Sequence, residues 1–220
     1  MLNFYGRRCP RKLDYNQLEI LKNSKFFFSN SNIKNLTKSL KGCQEINLEV
    51  GFGVGENLLF QSLKNKKEFF IGCDPFIKGS INLHKEIQRF ELKNLFLSNL
   101  DFQELLRFVD LVCFKYITIL FPDPWPKKKH KKRRLINSNF PELINKYSNE
   151  KTKIIVSTDD EDYLNQILYV FYKSSLFRLS TDITGKNILK KFSIQPTKYY
   201  KKALLNNRKT YHLIFEKKKS

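Results

Sequence analysis

The sequence predicts an α/β protein built on a mostly parallel sheet. Short apolar runs alternate with segments of helical period along most of the chain. Glycines cluster where the first of these runs gives way to a helix. With 220 residues, 41% of them hydrophobic and 20 of them Phe, the chain is long enough for a substantial core. "EINLEVG" (Glu45–Gly51) is the first predicted strand, followed by a helix from Glu56 to Leu63. "KEFFIGCD" is a second strand, then "GSINLHKEIQRF" a helix turning Ile81, His84, Ile87 and Phe90 inward. "NLFLSNL" is a third strand and "FQELLRF" a short helix with Asp101 as its N-cap. "KYITILF", the helix "SNFPELINKY" and the strand "TKIIVST" follow. The helix "EDYLNQILYVFYKS" is capped by Asp159 or Asp160. "LFRLS" and "TYHLIFEK" close the chain as strands, joined by an excursion without clear period. Such long connections in compact domains are usually functional. Residues 1–40, which lack strand character, form a basic arm with one or two helices, and 41–220 the main domain.

The net charge of +20 points to an anionic partner such as nucleic acid. A lysine-rich, alanine-poor composition (Ala203 stands alone) accounts for part of the excess as solvated surface. Clustering argues for more: "GRRCPRK" near the start, Lys127 to Arg134, and Lys217 to Lys219. No apolar run is long enough to span a bilayer and the N-terminus lacks a signal core, so a cytoplasmic protein is expected. Cys9, Cys43, Cys73 and Cys113 are far apart, without metal-ligand spacing. They are expected as reduced thiols, two of them within strands, and no metal is expected.

"LEVGFGVGENL" places Glu49, Gly51, Gly53 and Gly55 at a strand-to-helix turn, where glycine lets a ligand approach the backbone. The spacing G-x-G-x-G departs from the dinucleotide fingerprint, and Glu49 would repel a pyrophosphate. It suits a cationic ligand. S-adenosylmethionine carries a sulfonium and an α-ammonium, and [DE]-x-G-x-G-x-G marks its class I methyltransferases. Asp74, ending the second strand, suits ribose hydroxyls, and Asp101 after the third lies toward an adenine. Each acid could equally be a helix cap or strand end. Three at successive strand ends, on the carboxyl edge where open α/β sheets bind ligands, point to a site.

The fourth strand runs into "FPDPWPKKKHKKRRL". One carboxylate, Asp123, sits between two prolines beside the only tryptophan, ahead of seven lysines and arginines and a histidine in eight residues. This block resembles bacterial tRNA (guanine-N7)-methyltransferase, which modifies guanine 46 of the tRNA variable loop. The resemblance continues through "YGRR" (Tyr5–Arg8), "EVGFGVGE", "FIGCDP", "LDFQELL", "STDDEDY" (Ser157–Tyr163), "PTKYYKKAL" (Pro196–Leu204) and "LIFEK". It implies a seven-stranded Rossmann-like methyltransferase sheet, S-adenosylmethionine as methyl donor, and tRNA as partner of a monomer or homodimer. It further implies that Glu49, Gly51, Gly53, Gly55, Asp74, Asp101 and Asp123 hold the donor, with Asp123 also catalytic. Lys127, Asp159, Thr197, Lys198 and Tyr200 would hold the guanosine. Lys129, His130, Lys131, Lys132, Arg133 and Arg134 would contact RNA. Three positions depart from the family pattern: Tyr200 replaces a substrate-binding Glu, Asp160 a usual Trp, and Asp74 a common Glu.

The chemistry can be argued from the residues. Guanine N7 carries a lone pair and no proton, so its methylation needs no general base. The purine gains positive charge as methyl arrives, and a rigid carboxylate beside it is worth more in the transition state than before. In-line alignment supplies the other main contribution. Two rivals remain from the residues alone. An exocyclic-amine methyltransferase also carries an Asp-Pro turn but must remove a proton, and a silent RNA-binding protein could retain the fold. Trp125 is expected to pack the loop, His84 and His212 to be structural, and Tyr199 and Tyr200 to stack on a base or pack.

Overall fold

The computed structural model describes residues 8–9, 14–40, 42–43, 45–109 and 112–218. The chain divides into two units, Met1–Val112 and Cys113–Ser220. In the first, α1 (Tyr15–Lys22) is capped by Asp14, whose carboxylate accepts from Gln17 N at 3.1 Å. Then come β1 (Phe27–Phe28), α2 (Lys34–Ser39), β2 (Ile46–Val50), α3 (Glu56–Lys64), β3 (Phe69–Cys73), α4 (Ile77–Arg89), β4 (Leu95–Ser98) and α5 (Phe102–Leu106). The four strands are all parallel, in the order β1-β4-β3-β2. Register places Val50 opposite Cys73 and Cys73 opposite Ser98. The three carboxyl ends are therefore level, and the loops carrying the glycines, Asp74 and Asp101 leave from one edge.

Every residue of β2 is buried, the pattern of a strand covered on both faces. α4 packs Ile77, Ile81, Leu83 and Ile87 onto a core that includes Leu58, Phe70, Leu95 and Leu97. Each such side chain contributes roughly 1.5–3 kcal/mol by leaving water. Phe90 departs from expectation: it is the C-cap of α4 and exposed, beyond the last turn that the helix presses inward.

The second unit contains β5 (Phe114–Leu120), a 3₁₀ turn (Lys128–Arg133), α6 (Phe140–Asn145), β6 (Lys153–Thr158), α7 (Glu161–Lys173) and β7 (Phe177–Leu179). It ends with α8 (Lys186–Lys191), α9 (Lys198–Leu205) and β8 (Tyr211–Lys217). Its strands run β5-β6-β8-β7, with β5 parallel to β6 and β8 antiparallel to both its neighbours. Stacking of Phe171 on Phe215, centroids 3.7 Å apart, ties α7 to β8. Asp160, not Asp159, caps α7, accepting from Tyr163 N at 2.7 Å.

Three expectations need correction. The described residues contain eight strands, four in each unit, rather than seven. The additional one is β1, which lies in the segment expected to lack strands: Phe27 and Phe28 are buried and pair with Leu97 and Ser98 of β4. The aperiodic excursion before β8 holds α8 and α9, each of which buries a single residue, Ile188 and Ala203. Of the cysteines, Cys73 alone lies in a strand; Cys113 is exposed just ahead of β5. Residues 1–7 and 10–13 of the basic arm, Tyr5 to Arg7 among them, lie outside the described residues, as does Lys219.

Candidate active site

In the first unit the three sequence-selected acids meet the glycine loop at the carboxyl edge. Gly51, Gly53 and Gly55 all have positive φ, at 70°, 59° and 83°. At Gly55 this is coupled to packing, because a Cβ would lie 2.6 Å from Leu83 of α4. α4 approaches the loop so closely that a Cβ at Gly79 would stand 1.9 Å from the Gly53 carbonyl oxygen. Asp74 locks the loop from beneath. One carboxylate oxygen accepts from Gly53 N at 2.8 Å and the other from Phe76 N at 2.9 Å.

Glu49, near the end of β2, is 5% exposed and accepts from Asn57 Nδ2 of α3 at 2.7 Å. Burial pushes its pKa up to about 8, against the lowering effect of that hydrogen bond; nearby Asp74 raises it further. Asp101 forms a reciprocal capping box with Glu104, accepting from Glu104 N at 2.9 Å while Asp101 N donates to Glu104 Oε2 at 3.1 Å. Desolvation raises its pKa, and the Arg8 guanidinium, 3.8 Å away, opposes the rise. Between β4 and Asp101, Asn99 buries its side-chain oxygen without a hydrogen-bond partner. A buried carboxylate, an unmatched acceptor and a glycine-lined backbone are what a cationic ligand with N–H groups requires, so the residues fit S-adenosylmethionine.

In the second unit β5 and β6 end level, Leu120 opposite Ser157. Their loops carry Asp123 and Asp159 away from the same edge. Phe121 N donates to Ser157 O at 2.8 Å, and the chain enters the acid turn with Phe121 at φ 53° and leaves it with Trp125 at φ 44°. Both are left-handed conformations costly for bulky residues, so surrounding contacts must hold them. Asp123 is exposed at this turn, and partial desolvation still raises its pKa from the ordinary carboxylate value. Trp125 does pack the loop: the Arg133 guanidinium lies 4.9 Å over its ring and His130 meets it edge-on at 5.9 Å.

The residues assigned to guanosine divide. Lys127 and Lys198 are exposed. Thr197 caps α9, accepting from Tyr200 N at 3.3 Å. Tyr200 packs beside Phe121 and His212, centroids 6.0 and 5.8 Å away, so α9 is tied to the strand that presents Asp123. Asp159 is paired with Arg208 at 3.1 Å, a partner that sequence reading missed. His212 is buried, bonded through Nδ1 to Ser157 Oγ at 2.8 Å, and desolvation depresses its pKa to about 4, with Lys186 adding to the fall. His84 is likewise buried, and both fit the structural role expected of them.

The basic run is not one surface. Lys128, Lys129 and Lys132 are exposed, while Lys131 is half-covered and paired with Asp162 at 2.6 Å. Arg134, expected on the RNA-facing side, is 1% exposed, its guanidinium turned into the unit toward α7. Among the described residues no group of His, Cys, Asp and Glu could hold a metal ion, and no helix is long and apolar enough to cross a membrane.

Residues 43–213 match a family described as "Putative methyltransferase". The tRNA (guanine-N(7)-)-methyltransferase of Wolbachia pipientis wMel is 36% identical over 207 residues, covering 93% of this chain and 87% of its own. The enzyme of that name from Neorickettsia sennetsu is 35% identical over 175 residues, 80% and 75% of the two chains. The chain belongs to the tRNA (guanine-N7)-methyltransferase family. Among solved structures, an antibiotic-related methyltransferase superposes with a TM-score of 0.61 at 16% identity, covering 84% of this chain and 94% of its own. SMU.1697c from Streptococcus mutans, solved in complex with SAH, gives 0.53 at 12%, covering 84% and 97%. These distant likenesses show a Rossmann-like methyltransferase fold.

Proposed function

We propose that the protein transfers a methyl group from S-adenosylmethionine to N7 of guanine 46 in the tRNA variable loop, forming 7-methylguanosine. It would do so in the cytoplasm, as a monomer or homodimer. The observation that carries this reading is the acid turn: a carboxylate on a twice-strained, proline-flanked loop, followed within a few residues by exposed lysines. The first suits developing positive charge on a purine and the second suits phosphates.

The donor supplies an electrophilic methyl on a sulfonium. Glu49, Gly51, Gly53, Gly55, Asp74 and Asp101 are assigned to hold it. Glu49 acts as the partner of its ammonium, and Asp74 acts both on the ribose and as anchor of the glycine loop. Lys127, Asp159, Thr197, Lys198 and Tyr200 are assigned to the guanosine, with Arg208 giving up Asp159 when the base arrives. Asp123 stays ionised beside the purine and stabilises the charge that develops there; no proton has to be taken from N7. Lys128, Lys129, Lys131 and Lys132, with His130 and Arg133, are assigned to the RNA backbone.

Nucleoside mass spectrometry of tRNA incubated with protein and labelled donor tests the reading. Labelled 7-methylguanosine at position 46 is the expected product. An N2- or N6-methylated base would replace the reading with amine methylation, and no labelled base would leave an RNA-binding protein.

A further inference from the structure

Arg134 closes the basic run, yet it makes the contacts of a core residue. Its Nε donates to the Pro124 carbonyl at 2.6 Å, one residue beyond Asp123. One terminal nitrogen donates to Gln166 Oε1 at 2.8 Å and the other to Asp162 Oδ2 at 2.5 Å. The guanidinium carbon lies 4.8 Å over the ring of Tyr163, which is itself fully buried. α7 grips the far side of the same loop too. The Tyr163 hydroxyl accepts from Ile136 N at 2.9 Å, and Gln166 Nε2 donates to Ile136 O at 2.8 Å. One helix face, residues 162, 163 and 166, thus clamps the loop at 124, 134 and 136.

This clamp acts on a segment that needs one. Pro122 to Pro124 lie between two non-glycine residues at left-handed φ. Each such residue costs on the order of 1–3 kcal/mol and persists only where its surroundings over-determine it. A guanidinium with all three nitrogens engaged is suited to that task, since its planar fork fixes direction as well as charge.

We infer that Arg134, held by Asp162 and Gln166, is a positioning residue that fixes the Asp123 turn, and that it does not contact RNA. The inference rests on the proposed methyl transfer and adds a division of labour within the basic run. Exposed lysines face phosphates, while the last arginine faces inward and sets the acid. Asp162 is the pivot, because it also pairs with Lys131 and so takes part of that charge away from RNA.

The two roles give opposite outcomes. Asp162→Asn removes the carboxylate from both Arg134 and Lys131, at a residue exposed enough not to endanger the fold. Positioning by Arg134 then lowers the single-turnover methyl-transfer rate about tenfold, the scale of one charge-assisted bond, while tRNA binds more tightly because Lys131 is released and a repelling charge is gone. Arg134→Lys keeps the charge, but its compact ammonium cannot span the three separated acceptors that the planar fork reaches. Its rate falls by at least as much, and the slope of log affinity against log salt does not change. In both variants acrylamide quenching of the single tryptophan, Trp125, increases as the turn loosens.

A normal rate in Asp162→Asn, or an Arg134→Lys variant with a reduced salt slope and near-normal rate, overturns the inference. If the wild-type protein forms no 7-methylguanosine, the functional reading fails separately. Trp125 quenching then decides the clamp alone: an increase in both variants supports it and no change in either overturns it.

Discussion

Glu49 and Asp123 are both carboxylates whose pKa values are raised by desolvation, but their settings assign them different work. Glu49 is sealed beneath the glycine loop with Asn57 as its hydrogen-bond partner, and at about 8 its pKa leaves it mostly protonated at neutral pH in the free protein. A cationic donor stabilises the ionised form, so binding should expel the proton. Calorimetry at pH 7 in buffers of different ionisation enthalpy should register release of about one proton per donor, and Glu49→Gln should abolish it while weakening binding about tenfold or more. A buffer-independent enthalpy would mean that Glu49 does not meet the ammonium. Asp123 is instead exposed. Asp123→Asn keeps the shape of the side chain and removes the charge, so kcat should fall on the order of a hundredfold, with smaller changes in donor and tRNA affinity. Its raised pKa also has a sign. The wild-type rate should decline toward acid pH as the carboxylate protonates and be level above that, with 7-methylguanosine as product throughout. A mutant with normal single-turnover rates would reduce Asp123 to an anchor of its loop.

At the level of elements, the 3₁₀ turn sorts the basic run by direction, which the sequence could not do. Neutral replacement of Lys128, Lys129 and Lys132 should lower the log–log salt slope of tRNA binding by about one unit per lost phosphate contact and leave donor affinity unchanged. A constant slope would make these lysines ordinary solvated surface. What was legible beforehand follows the strength of local signals. The apolar strands β2 to β6, the glycine loop and the Asp101 cap were readable, because a mostly buried strand, positive φ and N-capping each demand particular residue types. β1 was hidden because two residues carry no alternation; only pairing with Leu97 and Ser98 makes Phe27 and Phe28 a strand. α8 and α9 were hidden because each buries one residue and shows no stripe. The direction of Arg134 depends on Asp162 and Gln166, some thirty residues away, and nothing within "KKRRL" reports it. The carboxyl-edge acids were found from the sequence, while their partners Asn57, Glu104 and Arg208 were not, since hydrogen bonds between elements leave no spacing to read.

The whole chain carries a net charge of +20, but its stability against pH should be shaped by buried groups of opposite behaviour. Glu49 has a folded pKa near 8 against an ordinary 4.5, so between those values the native state binds more protons than the unfolded chain and stability falls as pH rises. The raised values of Asp101 and Asp123 act in the same direction. His212 is depressed from 6.5 to about 4, so there the unfolded chain binds more protons and stability falls as pH drops through that window. The two slopes oppose one another between about 4.5 and 6.5, which places the stability maximum on the weakly acid side of neutrality. Thermal melts of the donor-free protein should therefore show Tm falling by several degrees, on the order of 5 °C, between pH 6.5 and 8. Glu49→Gln should flatten that limb and let the acid limb, no longer opposed, extend upward toward pH 6.5. His212→Gln, which keeps a polar partner for Ser157, should do the reverse and move the maximum downward in pH. Saturating donor should flatten the alkaline limb in the wild type as well, because a bound cation returns Glu49 to its ionised form. An alkaline limb that survives both Glu49→Gln and saturating donor would show that Glu49 is not the group that sets it, and that its burial is not coupled to the ligand.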